Sequence, residues 1–158
     1  MLFPAQANND YRGYKTAILF LLAAIALRLL MAYAALLDTH GMVQDADSIP
    51  IDSWGPGAAH TFLYMTKLLG LDHLLLTVVA IVILIRWRSL IPFAFLLLLA
   101  EQLGRFTLKL SNPIPRTGIT YVPVDPNLII IAALLIGLAL SLSTPRANAV
   151  TAREVQRR

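Results

Sequence analysis

The chain has 158 residues, 58% of them hydrophobic and only 14% charged, with a formal net charge of +4 and a mean hydropathy of +0.69. Soluble domains carry apolar content near half and charge near a quarter, so this composition belongs in a membrane and leaves no length for a separate soluble enzyme domain. The lack of cysteine removes disulfides, thiolate nucleophiles, iron–sulfur ligation and cysteine zinc sites. The basic residues flank hydrophobic runs and form no aromatic-interleaved patch, which excludes nucleic acid as a partner; no cofactor and no metal is expected.

The first apolar run, 16–37, follows Arg12 and Lys15, which predicts a span entering from a cytoplasmic N-terminus. Ala32-Tyr33-Ala34 resembles a signal-peptide cleavage site, but Arg28 inside the run argues against cleavage. The next stretch, 38–57, carries Asp38, Asp45, Asp47 and Asp52 without Lys or Arg, and reads as a solvated periplasmic loop. Its carboxylates lack the ordered spacing of an EF-hand.

Residues 58–69 set Phe62, Leu63, Met65, Leu68 and Leu69 against His60, Thr61, Tyr64 and Lys67, the pattern of an amphipathic helix on the outer membrane surface. Gly70 then serves as its C-cap and Asp72 as the N-cap of a second span, 72–86, stopped by Arg86-Trp87-Arg88. One long tilted helix over 58–85 is the alternative. A third span covers 89–110, and a proline-punctuated outer loop, 111–125, leads to Asp125-Pro126, a helix cap followed by a first-turn proline. The fourth span, 126–144, holds no charge and ends before an arginine-rich tail, 145–158.

The expected architecture is therefore an all-α, single-domain, multi-pass four-helix bundle in a bacterial inner membrane, with both termini cytoplasmic. Tyr11, Tyr14 and Trp87 would line the inner interface, and Trp54, Tyr64 and Tyr121 the outer one. Small residues at Ala133, Gly137 and Ser141, and at Ala100 and Gly104, offer two close-packing faces.

Ionisable residues interrupt three of the four runs. At about 1.5 Å per residue, Arg28 and Asp72 lie roughly 20 Å from the inner boundary, Glu101 roughly 18 Å and Arg105 roughly 24 Å. A charge near the middle of a span costs about 2.5–3.5 kcal/mol on insertion scales, so these groups should face one another or a wet cleft. The spacing pairs Glu101 with Arg105 along one helix face, and Arg28 with Asp72 across helices. A polar cleft of Arg28, Asp72, His73, Glu101 and Arg105 in the outer half of the bundle is expected to bind membrane lipid or a hydrophobic, lipid-bearing partner. His60 and His73 do not suit haem, because thirteen residues on one helix turn them about 140° apart.

The layout resembles signal peptidase II, the four-helix lipoprotein-processing aspartyl protease. Ser48-Ile49-Pro50-Ile51 and Gly57-Ala58-Ala59-His60-Thr61-Phe62 are similar to that family's loop and its Gly-Ala-Ala-Phe turn into the second helix. The family's Asn-x-x-Asp-Arg motif corresponds to Glu101-Gln102-Leu103-Gly104-Arg105, so Arg105 matches while Gly104 stands in place of the first catalytic aspartate. Asp125 would be the second, though Val122-Pro123-Val124-Asp125 lacks the Asn-x-Ala-Asp pattern. An aspartyl dyad needs two carboxylates sharing a proton around a water, and one does not supply both roles. The expectation is a non-catalytic accessory or assembly protein, or a subunit of a larger membrane complex. A divergent aspartyl protease using Asp125 and a small oligomeric transporter are the alternatives.

Overall fold

A computed structural model describes residues 2, 6–113 and 125–143. The described residues are helical throughout: α1 (Lys15–Leu37), α2 (Pro56–Arg86), α3 (Ile91–Ser111) and α4 (Pro126–Leu142), with short turns between them. Three stretches, Lys15–Leu37, Pro56–Arg86 and Arg88–Ser111, are long and apolar enough to cross a membrane, and α4 is a shorter apolar helix. This is compatible with a multi-pass membrane protein. Tyr121 and the tail 145–158 lie outside the described residues.

Each helix buries a narrow stripe and exposes leucine and isoleucine elsewhere. On α1 the stripe is Ala17, Leu21, Ile25, Arg28, Ala32 and Ala35; on α2 it is Gly70, His73, Thr77, Ala80 and Ile83. The spacing of three and four residues is that of one helix face. Outward lie Leu19, Leu30, Ile85, Leu108 and Ile129, each exposed by more than half. The interior mixes small and polar residues with Leu21, Ile91, Phe95 and Leu98, and the many large apolar side chains left on the outside suit lipid as solvent.

Small residues set how closely the helices approach. Helix α1 packs on α2 and α4, and α3 packs on α4 and, less extensively, on α2. A Cβ on Gly70 would lie 2.8 Å from the Ala35 Cβ, so α1 and α2 meet at this glycine. The ring of Phe95, fully buried on α3, fills the space at Gly137 of α4, where a Cβ would come within 2.3 Å of its Cε1.

The starts of α1 and α3 and the ends of α2 and α4 share one end of the molecule. Tyr14 N–H donates to the Leu140 carbonyl at 3.1 Å, and Ser89 N–H donates to the Asn8 carbonyl at 3.0 Å. Asn8 N–H in turn donates to Ser89 Oγ at 3.0 Å.

Three expectations are corrected. Residues 58–69 form no separate surface helix but continue into the second span as one 31-residue helix, Pro56–Arg86. Gly70 and Asp72 therefore cap nothing; Gly70 is a packing residue whose missing side chain makes room for α1. The apolar side of 58–69 is divided, with Phe62 and Leu63 packed inward while Met65 and Leu68 stay exposed.

Residues 38–54, expected as a solvated loop, are folded. One α-turn (Thr39–Gly41), a π-turn (Met42–Ala46) and a 3₁₀ turn (Ile51–Ser53) enclose a small core of Val43, Ile49 and Ile51. Trp54 and Phe62 pack on that core edge to face at 5.3 Å. Asp52 ties the turns together, accepting from Gln44 Nε2 at 3.0 Å and pairing with His40 Nε2 at 2.9 Å. The reversal needs Ser48 at φ 56°, a left-handed conformation uncommon outside glycine.

The Ala100–Gly104 face does not join helices: both residues are exposed, and nothing lies within 4 Å of a Cβ on Gly104. Gly137 and Ser141 are buried within the chain.

Gly137→Ala is expected to destabilise the protein by about 1–3 kcal/mol through overpacking against Phe95. Thermal unfolding in detergent checks this, with Gly104→Ala, in open space, expected to leave the midpoint unchanged.

Candidate functional site: a buried arginine–glutamate–histidine layer

Arg28 lies within the buried stripe of α1 and His73 within that of α2, and Glu101 and Arg105 lie one turn apart, at the centre and in the C-terminal half of α3. The stripe spacing decides which ionisable groups meet. His73 is three residues after Gly70, so the close approach at Gly70 brings its ring against α1; Asp72, one position earlier, is turned out and exposed.

Glu101 is the centre of the layer. Its Oε2 is ion-paired with Arg28 Nη2, and its Oε1 accepts from Arg105 Nη1 at 3.3 Å. The side chains of Arg28 and Glu101 are only 6% and 15% exposed, and that of Arg105 is 26% exposed. The expected Glu101–Arg105 pair is present. The expected Arg28–Asp72 pair is not: Arg28 turns to Glu101 and to His73, whose Nδ1 lies 3.2 Å from Arg28 Nη1.

The imidazole sits between the two guanidiniums, because Arg105 Nη1 also meets His73 Nε2. A neutral imidazole accepts at one nitrogen and donates at the other. One arginine therefore donates to the ring's lone pair while the other faces its N–H, so choosing a tautomer favours one guanidinium over the other. Thr77, fully buried one turn on, donates its hydroxyl to the His73 carbonyl at 2.6 Å.

Charge counting sets what the layer can do. Two arginines and one glutamate leave +1, and the Asp72 carboxylate, lying with the His73 and Glu101 ligand atoms within 4.8 Å of one another, brings the formal sum to zero. Asp72, His73 and Glu101 are ligand types for a metal ion, but both Glu101 oxygens and both imidazole nitrogens already face guanidinium nitrogens. A cation would have to displace two fixed positive charges, so the donor set does not fit one. The Asp72 side chain has no hydrogen-bond or ion-pair partner among the described residues.

A second polar group joins α3 to the start of α4. Asp125 caps α4, accepting from Asn127 N–H at 2.9 Å, as the Asp-Pro signal implies. Lys109 forms an ion pair with the same carboxylate, and this ammonium, aided by Asn127, holds the Asp125 carboxyl down at about 2. Buried Gln102 donates to Asn127 Oδ1 at 2.9 Å. Gln102, Thr77 and Lys109 were not marked by the sequence as site residues. Their signal was available in the stripe spacing, since Gln102 lies a helical turn beyond Leu98 and Leu99 on the buried face of α3.

Comparison of the chain with protein-family models, with curated proteins and with solved structures gives no match.

Arg28→Met is expected to cost about 3–5 kcal/mol, because it leaves Glu101 underpaired in a buried site. Combining it with Glu101→Leu should cost less than the sum of the two single changes, and a double-mutant cycle by unfolding in detergent measures the coupling.

Asp125 titrates lower in the folded protein than its ordinary 3.8. The stability it contributes is thus fully present above about 4 and is lost as pH falls toward about 2. Asp125→Asn should flatten the unfolding midpoint across that window relative to the parent.

Proposed function

We propose that the chain is a non-catalytic protein of the bacterial inner membrane, a four-helix bundle with both termini cytoplasmic, acting as an accessory or assembly factor for a hydrophobic or lipid-bearing partner or a larger membrane complex. The observation that carries this reading is Asp72. At about 1.5 Å per residue it lies roughly 21 Å along α2 from Arg86, inside a hydrocarbon layer about 30 Å thick. It is exposed and unpaired among the described residues. A carboxylate exposed at that depth without a hydrogen bond of its own is costly, so a polar group of a partner covers it. Arg105, a quarter exposed beside the open surface of Gly104, supplies a second polar contact from α3. The deeper Arg28, Glu101 and His73 then hold the helices in register and present Asp72 and Arg105 outward.

The disposition of basic residues supports the orientation. Arg12, Lys15, Arg86 and Arg88 fall at the end that the membrane insertion rule places in the cytoplasm.

Carboxylate chemistry weighs against the protease alternative suggested by the resemblance to signal peptidase II. Glu101 is held by two guanidiniums and Asp125 by an ammonium, so neither shares a proton with a second carboxylate. The transporter alternative relied on the face of Ala133, Gly137 and Ser141, two of whose members are packed within the chain.

Affinity purification of tagged protein from its native membrane in mild detergent, with mass spectrometry of proteins and lipids, tests the reading. A stoichiometric protein partner retained by the parent and lost in Asp72→Leu is expected. Recovery of the protein alone from both would sink the accessory role, and lipoprotein cleavage abolished by Asp125→Asn would replace it with the protease.

A further inference from the structure

Where α1 ends against the outer part of α2, a groove of about 330 Å³ opens between Leu37 and Asp38 on one wall and His60, Leu63, Tyr64 and Lys67 on the other. The side chains of Asp38, His60 and Lys67 make no hydrogen bond or ion pair within the fold, among the described residues. His40, which also reaches the groove, is committed to Asp52. The groove therefore combines one free carboxylate, one free ammonium and one free imidazole.

Its height is set by helix rise. At about 1.5 Å per residue, Asp38 lies roughly 34 Å from Lys15 and Lys67 roughly 28 Å from Arg86. Because the start of α1 and the end of α2 share one end of the molecule, both residues sit near the far boundary of a hydrocarbon layer about 30 Å thick. Toward the membrane interior, helical spacing places Tyr33 and Leu30 below Leu37, and Leu71 and Leu75 below Lys67, all of them exposed. A polar pocket at headgroup level thus opens onto an apolar furrow.

We propose that this groove binds the phosphoethanolamine headgroup of a membrane lipid, its ammonium on Asp38 and its phosphate on Lys67 and His60, with the acyl chains lying in the furrow. A purely anionic headgroup would face Asp38 unfavourably, and a purely cationic one would leave Lys67 unmatched. A primary ammonium has N–H groups to donate to the carboxylate. Trimethylammonium has none and favours an aromatic cage, whereas Tyr64 is the aromatic among the lining residues. At about 330 Å³ the groove has room for a headgroup while the chains run outside.

This site is separate from the arginine–glutamate–histidine layer and rests only on the multi-pass reading. Native mass spectrometry of the purified full chain, with palmitoyl-oleoyl phosphatidylethanolamine, phosphatidylcholine and phosphatidylglycerol added in equal amounts, tests it. The parent is expected to retain phosphatidylethanolamine about tenfold over phosphatidylcholine. Asp38→Asn should bring phosphatidylethanolamine down to the level of phosphatidylglycerol, and Lys67→Gln, which has no intramolecular partner to lose, should lower both. Equal retention of the ethanolamine and choline lipids, or no change in Lys67→Gln, overturns the proposal. Displacement of the bound lipid by an equal concentration of free phosphoethanolamine would assign the groove to a soluble ligand and overturn it too. Partition of the protein into the aqueous phase without detergent would instead reject the multi-pass reading on which the site depends.

Discussion

Glu101 holds two guanidiniums, one from another helix and one from its own, and the rest of the interior is arranged around that carboxylate. Taking a carboxylate and an arginine out of water costs several kcal/mol per ion, and only close geometry with further hydrogen bonds repays it. Each neighbour answers that requirement: Arg28 supplies one charge, Arg105 a second, and His73 occupies the space between the guanidiniums. The four groups come from three helices, so α1, α2 and α3 cannot slide past one another without separating charge. Surface leucine does little to specify register, because leucine facing lipid is indifferent to where along the helix it sits.

Arg28 and Glu101 sit on helices whose backbones make no extensive contact, so their long side chains meet across the interior while α2 and α4 hold α1 and α3 in place. The buried stripes mix leucine and isoleucine with the alanine, glycine, threonine and serine that let those packed pairs approach. Gly70 lets α2 settle on Ala35 and Leu36, three residues before His73. On the other side of the molecule Gly137 receives the Phe95 ring, which seats α4 on α3. The second polar group, Lys109 with Asp125 and Gln102 with Asn127, then fixes the start of α4 at the C-terminal end of α3.

The folded turns at 38–54 change the character of the end where α2 begins. Their small core around Val43, Ile49 and Ile51 braces the first turns of α2 through Phe62 and Leu63, so this end is a shaped surface with a groove. The proposed lipid site and the proposed partner contact at Asp72 lie at different depths on α2 and call on different residues, which lets them be separated by experiment.

Composition, run length and the placement of Asp125-Pro126 were enough to predict an all-helical chain with apolar spans, because helix formation in lipid depends on local hydrophobicity and on satisfying the backbone within each segment. The i,i+4 pair of Glu101 and Arg105 was legible for the same reason, since one helix fixes its own spacing. Local signals misled where glycine and aspartate had two uses: Gly70 and Asp72 read as caps, yet one faces α1 and the other faces outward on an unbroken helix. Which charges pair across helices was decided only by the tertiary structure. Arg28 had Asp72 and Glu101 at similar heights, and the rotation of α2 about its axis, set by small residues packing against α1, turned His73 inward and Asp72 out. Height follows from counting residues along one helix, whereas facing depends on how two helices pack.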